Sequence, residues 1–222
     1  MRVVEVRVLS RAPAISGERV SIHLHQGDLP PGINWGGSVA IDTETMGLKP
    51  ARDRLCLAQL SAGDGETHLV QFAPGAYDAP NLNALLTDPG TLKLFHFGRF
   101  DIAMMRRYLG ALAAPVYCTK IASKLARTFT DRHGLKDLCR ELLGVDLSKQ
   151  QQTSDWGAPN LTQEQLRYAA SDVEHLHALK ARLDAILTRE GRLELAQACF
   201  AFLPIRAQLD LEGFAEAEIF DH

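Results

Sequence analysis

The chain has only four cysteines, Cys56, Cys118, Cys139 and Cys199, and no C-x-x-C pair among them. That excludes the dense disulfide framework of small secreted domains and the paired-thiol zinc sites. No apolar run approaches the roughly 18 residues that span a bilayer, and the N-terminus lacks the continuous apolar segment of a secretory signal. A reducing cytoplasm is the expected compartment, and no membrane partner is expected. Neither sign of charge dominates: 24 Lys and Arg against 27 Asp and Glu leave a formal charge of −3. A global basic field that would hold long nucleic acid by counterion release is therefore missing. Absent too are the G-x-S-x-G elbow of serine hydrolases, a Walker A loop and a dinucleotide fingerprint.

What is present is an ordinary globular mixture, 222 residues long with 46% hydrophobic and 23% charged residues. That length suits one large domain or one domain with an appendage. Residues 1–21 read as an N-terminal appendage, rich in arginine (Arg2, Arg7, Arg11, Arg19) and interrupted by Pro13 and Gly17. It could be a targeting-like arm, an extra strand or an upstream stretch without function, and no chemistry is assigned to it. Residues 22–222 read as a single domain.

After Gly36 and Gly37, residues 38–42 form a short β-branched apolar run closed by a carboxylate, the pattern of a buried strand. Residues 54–61 and 67–72 alternate apolar and polar around the turn at Gly63 and Gly65, which predicts a hairpin beside that strand. Beyond them come a short helix at 81–87, a strand at 92–97, a helix at 100–109, a strand at 116–118, and helices at 120–127 and 135–143. The stripe Leu166, Ala169, Val173, Leu176, Leu179, Leu183, Ile186 predicts one amphipathic helix capped by Thr162. A last helix starts near Arg192, and Pro204 is expected to bend or end it. The order predicts an α/β fold, a mixed sheet with helices on both faces.

Chemistry concentrates in carboxylates. Asp42 and Glu44 are two apart at a strand end, so they face the same way. Asp101 opens the helix after the strand at 92–97, where a capping role is the ordinary explanation. Tyr168 and Asp172 share one face of the Thr162 helix at i, i+4 spacing. Singly these signals are weak. Together they place four carboxylates, without a compensating lysine cluster, where strand ends and helix edges open a crevice. Oxygen-only ligation suits Mg²⁺ or Mn²⁺, and four negative charges balance two divalent ions. Two such ions about 3.5–4 Å apart clamp the attacking and leaving oxygens of a phosphodiester. The pairs His23/His25 and His175/His177 could suggest a transition-metal site, but helix residues two apart diverge by about 200°, so His175 and His177 cannot chelate together and zinc is not expected.

Asp42-x-Glu44, Asp101 and Tyr168-x-x-x-Asp172 resemble the three motifs of the DEDD exonucleases in their tyrosine variant, the ribonuclease D-like family. Within it, the segments Phe95-His-Phe-Gly-Arg-Phe-Asp101, Thr130-Asp-Arg-His-Gly-Leu-Lys136 and 149–156 are similar to the compact bacterial oligoribonucleases of the nanoRNase C group. The likeness begins near Ile22 and runs to the C-terminus. It implies a ribonuclease H-like exonuclease fold and a 3′→5′ exonuclease that releases nucleoside 5′-monophosphates, with dinucleotides and other very short RNAs as preferred substrates. Longer RNA or DNA is the alternative, and a non-catalytic nucleic-acid-binding protein a weaker one, since all five motif residues are present.

By that resemblance Asp42, Glu44, Asp101 and Asp172 are metal ligands, and Tyr168 orients or deprotonates the attacking water. A free tyrosine titrates near 10, which favours orientation. Leu48 matches a leucine that wedges against the terminal base, and Gly47 frees its turn. Thr45, His96 and Arg99 are further candidate substrate contacts, and Lys120, Lys124, His133, Lys136 and Lys149 supply donors nearby. Ribonuclease D proper continues into helical nucleic-acid-binding domains, whereas this sequence ends about fifty residues after Asp172. A homo-octamer is also implied, with Leu193, Leu195, Phe200, Phe202 and Leu203 as interface or core material.

Overall fold

Strand β3, Ser38–Thr45, is apolar through Ile41 because it lies between two other strands with both faces covered, and it turns acidic only where it leaves the core. The computed structural model that shows this describes residues 4–7, 21–148, 150–217 and 219–220. Lys149 and most of the N-terminal appendage lie outside the described residues.

With β1 (Val4–Arg7), β2 (Ser21–Gln26), β4 (Leu55–Ser61), β5 (Glu66–Gln71), β6 (Leu92–Phe95) and β7 (Val116–Cys118), it builds one sheet. The strand order is β1-β2-β5-β4-β3-β6-β7. Strands β3, β4 and β5 run antiparallel in sequence order, as the turn residues predict. Strands β6 and β7 join parallel to β3, so the sheet is mixed.

Strand β2 was not expected, yet it pairs parallel with β5 over its whole length. Its alternation is real: Ile22 and Leu24 pack on one apolar cluster while His23 and His25 line the other face, stacked with His68 at 5.0 and 5.3 Å. The sheet thus uses both histidines as strand-face residues. Val4–Arg7 of the appendage adds an antiparallel edge strand beside β2.

The helices are α1 (Pro80–Thr87), α2 (Arg99–Leu109), α3 (Thr119–Ala126), α4 (Leu135–Leu138), α5 (Gln163–Glu174), α6 (Leu176–Arg189) and α7 (Leu193–Leu209). Helix α4 passes into a π turn at Cys139–Leu143. The apolar stripe from Leu166 to Ile186 is not one helix, because the chain breaks at His175 and restarts as α6. The stripe stays in phase because Val173 ends one buried face and Leu176, Leu179 and Leu183 begin the next. Pro204 does not end α7, which continues to Leu209. Burial of Phe200, Leu203, Pro204 and Ala207 holds that turn despite the lost backbone bond, each large side chain contributing about 1.5–3 kcal/mol.

Helix α5 packs over β3, β4 and β5, closing a cluster of Leu57, Leu69, Trp156, Leu166 and Ala169. The larger cluster holds Ile41, Leu60, Val70, Phe95, Ile102 and Met104 with α2 and α6. Helices therefore flank the sheet on both faces. No helix among the described residues is long and apolar enough to cross a membrane.

Candidate metal centre and active site

The site forms where β3 leaves the sheet. Alternation along the strand sends Asp42 and Glu44 to the α5 face and Thr43 to the α2 face. A register shift between Glu44 and Thr45 against β4 then bends the strand, as bulges do where a side chain must be re-aimed. Helix α5 brings Asp172 to the same place. It is capped by a reciprocal pair in which the Gln165 backbone N–H donates to the Thr162 hydroxyl and the Thr162 N–H donates to the Gln165 amide oxygen.

Asp42, Glu44 and Asp172 each present a carboxylate oxygen, and these lie within 4.8 Å of one another. Asp101 stands outside that trio. It does not cap α2, whose first turn begins at Gly98 without a side-chain cap. Its side chain is only 5% exposed and accepts a hydrogen bond from the Thr43 hydroxyl at 2.5 Å. Its charge still raises Asp42, Glu44 and Asp172.

Burial is the largest effect on all four groups, and neighbouring carboxylates add to it for Asp42, Glu44 and Asp172. Asp42 is driven well above the usual carboxylate range by burial, then by Asp101, Asp172 and Glu44. Glu44 is pushed up to about 9 by burial, Asp172 and Asp101. Burial lifts Asp172 to about 7 although the Tyr168 phenol donates to it, and lifts Asp101 to about 6 against the Thr43 bond. No salt bridge among the described residues reaches any of the four. Half-buried anions packed together without a cationic side chain are unfavourable unless protons or a metal neutralise them. The donor set, oxygen only, fits a hard divalent cation.

Tyr168 lies one helical turn before Asp172, with Trp156 against its ring at 6.0 Å between centroids. Burial and the adjacent carboxylates raise its phenol far above its ordinary value. Leu48 sits 83% exposed on the β3–β4 connection. That loop is held by Asp53, which accepts from the Lys49 N–H at 2.9 Å and from Arg52 at 2.6 and 2.7 Å. Thr45 donates to the Gly47 carbonyl at 2.6 Å and so shapes the same loop. A Cβ on Gly47 would come within 2.4 Å of the Asp53 carboxylate, which is why glycine stands there.

His96 follows β6, with its Nδ1 2.9 Å from the Thr119 hydroxyl. Burial and the Lys120 charge push it down to about 3, so it is neutral near pH 7. Arg99 is engaged elsewhere: its guanidinium donates to both Asp210 oxygens at 2.5 and 2.6 Å and to the Ala215 carbonyl. His133 Nδ1 lies 2.8 Å from the Ser123 hydroxyl, on α3. Two supports escaped the sequence reading, Thr43 and Thr119. Thr43 carried a signal, since a residue between two same-facing carboxylates must face the other way.

The family model described as 3′-5′ exonuclease matches residues 31–188. The chain belongs to the 3′–5′ exonuclease family. A ribonuclease D of Gluconacetobacter diazotrophicus is 37% identical over 165 residues, 74% of this chain and 42% of that protein. The chain thus spans about two fifths of the length of the curated relatives it matches. Among solved structures, Brucella melitensis NrnC bound to pGG is 56% identical with a TM-score of 0.88, covering 90% of this chain and 98% of that one. The same Brucella melitensis NrnC with bound Mg²⁺ is 55% identical with a TM-score of 0.87 over the same shares. The matched span of the exonuclease model contains all five motif residues, from Asp42 to Asp172. The chain resembles both the ribonucleases D and NrnC.

Proposed function

We propose that this exonuclease hydrolyses very short RNAs, dinucleotides foremost, from the 3′ end to nucleoside 5′-monophosphates in the cytoplasm, with two divalent cations, Mg²⁺ or Mn²⁺. The observation that carries this is the uncompensated carboxylate cluster of Asp42, Glu44 and Asp172, with Asp101 close enough to raise all three of its members. Those four residues would hold the cations. Bound there, the cations would neutralise the clustered carboxylates and the charge that develops on the phosphate.

The rest falls to this chain's own side chains. Tyr168, with its phenol shifted upward, stays protonated near neutral pH, so its part is to orient the attacking water rather than to deprotonate it. Leu48, exposed on a loop tied down by Asp53 and Thr45, offers an apolar edge to the terminal base. Neutral His96 beside Thr119 is a hydrogen-bonding group without charge. Arg99 acts through the C-terminal segment that it holds against the start of α2.

The pGG bound by NrnC, a protein 56% identical, supports a dinucleotide-sized substrate. So does the net charge of −3, because a dinucleotide needs a closed pocket and metals rather than a long basic track. A homo-octamer is part of the same proposal. Phe202 and Ile205 on α7, with Phe214 and Phe220 beyond it, are exposed apolar side chains suited to a second copy.

The deciding experiment is chromatography of the products from a labelled diribonucleotide and a labelled 20-mer, each with and without EDTA. Monophosphates from the dinucleotide, suppressed by EDTA, are expected. Faster attack on the 20-mer would move the assignment to a broader exonuclease, and no product from either would overturn it.

A further inference from the structure

Phe97 is the one non-glycine residue with positive φ among the described residues, at 63°. Side chains other than glycine are disfavoured there, and aromatic ones have no local hydrogen bond to offset the cost. Packing does not repay it either, for the side chain is 55% exposed. What the ring does have is the Lys120 ammonium 3.6 Å from its centroid, over one face. A strained backbone that presents an exposed ring, held from one side by a cation, needs a reason outside the fold.

Its position supplies one. Strands β3, β6 and β7 are parallel, so the ends that carry Glu44, Phe95 and Cys118 share one edge of the sheet. Extending the register past Ala40 and Leu94 sets His96 level with Asp42 and Phe97 level with Thr43. In the strand order, β4 and the loop bearing Leu48 flank β3 on one side, and β6 with Phe97 flanks it on the other. A scissile phosphate at the carboxylates therefore has an exposed apolar group on each flank, and on the β6 flank that group is a ring with an ammonium against it. Nucleobases stack on aromatic faces whatever their sequence, and an adjacent ammonium suits the phosphate that follows.

We propose that the Phe97 ring, backed by Lys120, is the stacking platform for the base of the nucleotide on the 5′ side of the scissile phosphate. This rests on the nuclease reading above and adds a second base site opposite Leu48. Phe97 becomes a residue that sets how much the enzyme gains from a second base, and so how it tells a dinucleotide from a lone nucleotide ester.

The test compares an intact dinucleotide with one whose 5′ residue is abasic, using the wild type, Phe97→Ala, Phe97→Gly and Phe97→Tyr. In the wild type, the intact substrate should lead in kcat/KM by roughly 10-fold, the size expected of one base–aromatic stack. Alanine and glycine should bring that ratio towards one, and tyrosine should keep it. Glycine accepts positive φ, so Phe97→Gly should melt no lower than the wild type and elute at the same size. A dinucleotide with 2-aminopurine in the 5′ position should be quenched on binding to the wild type and not to Phe97→Ala.

An unchanged ratio in Phe97→Ala, or equal quenching, overturns the platform. A lower Tm or altered elution of Phe97→Gly also overturns it, assigning the ring to packing or to an interface between copies. Phe97-dependent quenching without cleavage of either substrate leaves the platform standing and removes the nuclease reading instead.

Discussion

Thr43 and Asp101, 58 residues apart, are joined by a 2.5 Å hydrogen bond through which a strand residue facing α2 steadies the one carboxylate that the α5 face does not supply. Strand β3 thereby serves the site from both of its faces, with Asp42 and Glu44 on one and Thr43 on the other. Replacing Thr43 by valine keeps the shape and removes the donor. The carboxyl of Asp101 should then rise further, and apparent Mg²⁺ affinity should fall about 10–100-fold, as for other groups that orient metal ligands. Activity titrated against Mg²⁺ checks this, and an unchanged titration would leave Thr43 as packing alone.

Tyr168→Phe separates orientation from metal binding. The phenol donates to Asp172, and the ring packs on Trp156 whether or not it carries the hydroxyl. We expect kcat to fall roughly 100-fold while KM and the thermal shift on adding Mg²⁺ stay near wild type. Unchanged turnover would remove Tyr168 from the reaction.

Stability without metal should depend on pH in a direction set by the raised carboxyl groups. Asp101, Asp172 and Glu44 sit at about 6, 7 and 9, above the value near 4 of an unfolded chain. Between those limits the folded state holds more protons than the unfolded one, so stability must fall as pH rises. In EDTA the Tm should therefore drop from pH 5 to pH 9. Added Mg²⁺ should raise it more at pH 9 than at pH 5, because ligands must be deprotonated to bind. Thermal melts at both pH values, with and without metal, decide the matter, and a Tm that rises with pH in EDTA contradicts the burial of these groups.

Gly98→Ala should damage the site through packing. A Cβ there would lie 2.4 Å from Phe95 Cβ and 2.6 Å from its Cγ, and neither atom can swing away. Overpacking of this kind costs about 1–3 kcal/mol. Each kcal/mol corresponds to a Tm loss of roughly 2–4 °C at this chain length. Because α2 begins at Gly98 and carries Asp101, kcat/KM should fall as well. Wild-type Tm and turnover would show that Phe95 can give way.

The meander from β3 to β5 and the helix with its Thr162 cap are local patterns, and they stand in the sequence as they do in the fold. Strand β2 does not, because its partner β5 lies more than forty residues on and its alternating histidines look like ligands until His68 is seen against them. Nor does the break at His175, since the apolar stripe keeps its phase across it.

Residue type and spacing along short stretches determined which side chains are acidic, which way each faces on its own element, and to which family the chain is akin. Distance between elements was decided elsewhere. That Asp42, Glu44 and Asp172 meet within 4.8 Å while Asp101 waits on Thr43 depends on how α2 and α5 pack on opposite faces of β3. That Arg99 turns to Asp210 depends on where the last turn folds back. Periodicity is a property of neighbours in the chain, whereas electrostatic coupling and burial belong to neighbours in space, and only close packing of the whole sheet and its helices makes those two sets meet.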